Sequence, residues 1–67
     1  MRNTLWEVST HAENALTYTR EAREVLTMWL DAIPTGEKFE REALRVGLLL
    51  DLTKDTITHL EIAVYGK

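Results

Sequence analysis

Sixty-seven residues without cysteine, 45% hydrophobic and 28% charged, describe one small folded domain and exclude a disulfide framework or a thiolate zinc site. A formal net charge of −3 provides no basic footprint for nonspecific contact with nucleic acid phosphates. A lone chain of this length hides only about 60% of its unfolded surface, so the core needs reinforcement and self-association is the expected means.

The segment Met-Arg-Asn-Thr-Leu-Trp-Glu at the start has no apolar run of the kind found in signal peptides. No stretch approaches the roughly 20 apolar residues of a membrane span. A cytoplasmic protein without membrane contact is therefore expected.

A first helix is predicted over about 4–32. Thr4 and Glu7 have the spacing of a capping box, in which each side chain satisfies an orphan backbone donor. Leu5, Val8, Ala12, Ala15, Thr19, Ala22, Leu26, Trp29 and Ile33 then alternate steps of three and four, which makes a seam for a neighbouring helix. Leu16, Val25 and Leu30 widen that seam. The small residues at its centre predict a core that is thin in the middle and thicker toward the turn.

The turn is predicted over 33–36, where the sole proline, Pro34, stands beside Gly36. Proline disfavours a helical conformation at Ile33, Thr35 or Gly36 can cap the next helix, and Glu37 suits that helix's positive end. The second helix is predicted over about 37–65, with Gly66 closing it in a left-handed conformation. Phe39, Ala43, Val46, Leu50, Thr53, Ile57, Leu60 and Val64 repeat the three-four spacing. A strand over 56–65 is the competing reading, but it would have no partner strand for its edges.

The fold class is thus all-α: a two-helix antiparallel hairpin, one domain over 1–67, dimerising into a four-helix bundle. Two-helix rods have no enclosed interior, and pairing two hairpins is the simplest way to cover the flanks of each seam.

Helix 2 contains the block Leu-Arg-Val-Gly-Leu-Leu-Leu-Asp-Leu over 44–52, too wide for one helical face. At about 100° per residue, Val46, Leu50, Ile57 and Val64 share a face, whereas Leu44, Leu48 and Ile62 lie nearly opposite. Trp6 and Met28 likewise fall off the seam of helix 1. Trp6, Met28, Leu44, Leu48 and Ile62 are therefore candidate contacts for a second protein, aromatic and apolar anchors being common at interfaces. The plainer alternative is scattered exposed side chains or coverage by the dimer.

Asp51, Asp55 and His59 follow one another at intervals of four and rise on one side of helix 2, where they could approach a divalent metal. A solvated face is the expected state, and no metal or other cofactor is assigned. His11 and His59 are each 24 positions from Thr35, a symmetry that could place them level in a hairpin. Ser9 is the only serine and has no general base in view, so no catalytic residues are assigned and no enzyme is expected.

Arg20, Arg23, Lys38, Arg41 and Arg45 gather toward the turn, while Glu7, Glu13, Asp51, Asp55 and Glu61 occupy the half near the termini. This polarity could steer an acidic partner, but Arg20 with Glu24, Glu37 with Arg41 and Lys38 with Glu42 have helix-neighbour spacing and would absorb much of the charge. In outline the chain resembles the Rop-type hairpins, which dimerise into bundles and bind structured RNA, and the small helical chaperones of secretion systems. No motif is shared with either, so no residue role is carried over, and nucleic acid is not the expected partner.

The expected function is a noncatalytic protein–protein interaction module: a regulator, inhibitor, adaptor or chaperone that acts as a homodimeric bundle. It would dock a partner through apolar residues of helix 2 and the ends of helix 1. The alternatives are an obligate subunit of a heteromeric helical complex, a Rop-like RNA-binding dimer, or a metal-binding protein using Asp51, Asp55 and His59.

Overall fold

The computed structural model describes residues 4–66. Helix α1 runs Thr4–Ala32 and helix α2 runs Glu40–Tyr65, packed against each other along an extended hairpin of 58 × 17 × 14 Å. The strand considered over 56–65 is helical. No helix among the described residues is long and apolar enough to cross a membrane.

The connection is longer than the four-residue turn expected. Ile33 closes α1 with a bond from its N–H to the Leu30 carbonyl at 3.2 Å. Pro34 then breaks the helix, and Gly36 takes φ 140°, a conformation open to a residue without Cβ. Glu37–Phe39 forms a single 3₁₀ turn, tightened by the Phe39 N–H on the Gly36 carbonyl at 3.0 Å, before the α-helical pitch begins at Glu40. The far end behaves as expected: Gly66 has φ 72° and its N–H caps the Ile62 carbonyl at 2.8 Å.

Threonine is frequent in both helices although its β-branch costs helix propensity. Six described threonines, among them Thr19, Thr53 and Thr56, turn the hydroxyl back onto a carbonyl three or four residues earlier, at 2.6 to 3.1 Å. Their hydroxyls are satisfied within the helix.

The α2 seam matches the sequence reading at each position: Val46 is buried, and Phe39, Ala43, Leu50, Thr53, Ile57, Leu60 and Val64 are half-buried. The α1 seam is rotated. It runs through Ala12, Leu16, Thr19, Arg23, Leu26, Leu30 and Ile33, because turning toward Leu16 and Leu30 covers more apolar area than Ala15 and Ala22 offer. Leu5, Val8, Ala22 and Trp29, read as seam residues, are exposed in the single chain. For Leu5 and Val8 the reason is length: Arg20 lies sixteen residues after Thr4, yet it bonds Glu61, four residues before Tyr65. The first turns of α1 therefore project past the end of α2, and Leu5 is 84% exposed.

Candidate protein interaction site

Two cross-links hold the helices side by side. The Arg20 Nη2 donates to Glu61 Oε2 at 2.9 Å, and the Trp29 Nε1 donates to Glu42 Oε2 at 2.8 Å. Nine residues separate Arg20 from Trp29, which is about half a revolution at 100° per residue, so the two bonds clasp the hairpin from opposite faces.

The two faces differ in character. On the Arg20 side, α1 presents Glu13, Arg20, Glu24 and Asp31, and α2 presents Glu40, Asp51, Lys54 and Glu61. On the Trp29 side, α1 presents Val8, His11, Ala15, Tyr18, Ala22, Val25 and Trp29, and α2 presents Leu49, Leu52, Thr56, His59 and Ala63. No Asp, Glu, Lys or Arg interrupts either line, although Arg45 and Glu42 continue the α2 line toward the turn. Each line keeps the three-four spacing that α-helices use to pack on other helices, so each helix carries a second seam beside the one it uses in the hairpin. The Thr56 hydroxyl bonds the Leu52 carbonyl at 2.8 Å, leaving its methyl to that surface. Tyr18, Val25, Trp29, Leu49 and Leu52 are all exposed large apolar groups.

The residues singled out as partner contacts lie elsewhere. Leu44, Leu48 and Ile62 sit on the outer edge of α2, Met28 sits on the outer edge of α1, and Trp6 lies in the overhanging first turns; all five are exposed. The hairpin separates them by its full width, so they form no single patch. Tyr18, Leu49 and Leu52 had no part in the sequence reading of a site. Their signal was the second three-four line, which in α1 shares Val8, Ala15, Ala22 and Trp29 with the line taken as the seam.

Charge pairing also differs from helix-neighbour spacing. Arg20 reaches across to Glu61 rather than along α1 to Glu24. That hydrogen bond, with Tyr65 adding to it, moves the guanidinium above its ordinary value. At the turn, the Lys38 Nζ lies 5.2 Å from the centre of the Phe39 ring.

Among the described residues no three His, Asp or Glu side chains converge as a metal site. Asp51 and His59 are eight residues apart along one helix, about 12 Å of rise, too far to share an ion. Two surface grooves, one lined by Thr58, Glu61, Ile62 and Tyr65 and the other by Arg23, Glu24, Thr27 and Met28, each have walls from a single helix. The geometry presents extended surface rather than an enclosed site. Comparison with protein-family models, curated proteins and solved structures finds no match to this chain.

Proposed function

We propose that the chain is a noncatalytic protein–protein interaction module of the cytoplasm, a regulator, inhibitor or adaptor, that acts as a homodimeric four-helix bundle and docks a second protein. One observation carries this reading. Among the described residues only Leu16 and Val46 are buried, at 2% and 1% exposure, whereas thirteen large apolar side chains are at least 43% exposed.

Burying a large apolar side chain contributes roughly 1.5–3 kcal/mol, and ordering each backbone residue costs about 1–2 kcal/mol. Two buried side chains and a half-buried seam leave a solitary hairpin poorly supported, and a covering surface supplies the difference. Self-association covers one face. The outer edge of α2, with Leu44, Leu48 and Ile62 exposed, is offered to a partner of another kind.

Sedimentation equilibrium over a dilution series tests the first part, with a dimer mass expected at micromolar concentration and dissociation on further dilution. A compact, sharply melting monomer throughout would remove the basis of the proposal. For docking, Leu48→Asp is expected to keep the dimer mass and lose the bound partner; a variant that retains every partner would refute that role. The second reading, an obligate subunit of a heteromeric complex, draws on the same exposed edge of α2 and predicts aggregation or incomplete folding of the purified chain.

A further inference from the structure

We infer that the Trp29 face, along Val8 to Trp29 of α1 and Leu49 to Ala63 of α2, is the dimer interface, occupied by a second copy of this chain running antiparallel so that the two turns lie at opposite ends. The inference rests on the self-association proposed above and specifies its surface and geometry.

Size complementarity within the face supports this occupant. On α1, a two-fold axis level with position 20 sets Tyr18 against Ala22 of the other copy, Ala15 against Val25 and His11 against Trp29. On α2, an axis level with Thr56 sets Leu49 against Ala63. Each match places a larger side chain over a smaller one, the arrangement that lets facing helices interdigitate.

The two cross-links bracket the axis positions. Counting outward from the Trp29–Glu42 bond puts position 20 level with Asp51, and the Arg20–Glu61 bond puts it level with Glu61. Thr56 lies midway between them. A single two-fold axis across the hairpin can therefore serve both helices, and it stacks α1 on α1 and α2 on α2.

Val8 to Trp29 covers about 31 Å of α1 and Leu49 to Ala63 about 21 Å of α2, and each helix takes half of the hairpin's 17 Å width. The flat projection is about 440 Å² per copy, or about 880 Å² for the pair before surface relief is counted, close to the roughly 1,000 Å² expected of a specific interface. The opposite face, with eight charged side chains, would place many of them against their own copies at a desolvation cost.

The test combines interface variants with thiol cross-linking in a chain that has no cysteine of its own. Val25→Asp should raise the dimer dissociation constant by about tenfold or more. Ala22→Leu, which keeps a strong helix former at a position exposed in the single chain, should weaken the dimer by crowding Tyr18 of the other copy while helicity is retained. Leu48→Asp, on the outer edge, should leave the constant unchanged. With a short bifunctional thiol reagent, Thr56→Cys should link to its own copy. Ala63→Cys alone should not, because antiparallel packing holds the two sites about 21 Å apart along the axis, but it should link to Leu49→Cys in a mixture.

A dimer indifferent to both Val25→Asp and Ala22→Leu, or one lost with Leu48→Asp, overturns the assigned face and leaves the self-association reading standing. Self-linkage of Ala63→Cys without that of Thr56→Cys overturns the antiparallel arrangement. A wild-type chain that is monomeric at every concentration overturns both proposals.

Discussion

Arg20 and Trp29 point to opposite faces of one helix, and each is bonded to a glutamate of the other: Arg20 to Glu61 at 2.9 Å, Trp29 to Glu42 at 2.8 Å. The first bond belongs to a charged surface and the second lies at the edge of an apolar one. A hairpin whose seam buries so little is thus pinned laterally on both sides.

Leu16→Ala should lower stability by about 2–3 kcal/mol, the range for removing a buried leucine side chain where a thin core can partly collapse. Leu44→Ala, at an exposed position, should change it by about 0.5 kcal/mol or less. Urea midpoints at one fixed protein concentration make the comparison, since stability coupled to association depends on concentration.

Arg20→Ala and Glu61→Gln should each have a small effect, and a double-mutant cycle should show weak coupling that disappears in high salt, as for other solvent-exposed ion pairs. The guanidinium is raised above its ordinary value by Glu61. Its share of stability is therefore complete below the unfolded-state value and lost only as pH rises through the still higher folded-state value. A thermal melt at pH 10 should show no loss traceable to Arg20, measured as the difference between wild type and Arg20→Ala at pH 7 and pH 10.

Gly47→Ala should stabilise the protein by about 0.5–1 kcal/mol, the propensity gain in a helix interior. No atom lies within 4 Å of a Cβ built there, and the position belongs to the charged side, away from the assigned interface. The dimer constant should be unaltered. Gly66→Ala should have the opposite sign, because a φ of 72° strains any residue with a Cβ. Calorimetry of the two variants at matched concentration reads both.

A Trp6→Phe variant leaves Trp29 as the only tryptophan. Its emission should move to the red as the protein is diluted through the dimer dissociation constant, because the ring changes from a covered to an exposed surface. Constant emission across a dilution that halves the mass would place Trp29 outside the interface.

Zinc or magnesium at millimolar concentration should leave the melting temperature unchanged. Asp51 lies on the Arg20 side of α2 and His59 on the Trp29 side, and with Asp55 they do not converge, so an ion binding there would gain one ligand at a time. A rise in melting temperature abolished by His59→Ala would contradict this.

Much of the architecture was legible in the residues because helix pairing obeys local rules. Pro34 with Gly36 ends one helix, Gly66 ends the other, and the α2 seam follows from a spacing that only one face of a helix can satisfy. The α1 seam was less legible because two three-four lines run beside each other there, and apolar spacing alone could not say which meets α2 and which faces outward.

Periodicity along the chain determined that two long helices would form and that each would carry more apolar surface than one neighbour covers, since both follow from the order of side chains about a helix axis. The rotation of α1 about its own axis, the overhang that leaves Leu5 bare and the division into a charged and a largely apolar face were decided only in tertiary structure. Those depend on how two particular surfaces fit, where Leu16 and Leu30 outweigh Ala15 and Ala22, and where Arg20 finds Glu61 across the groove before it finds Glu24 on its own helix.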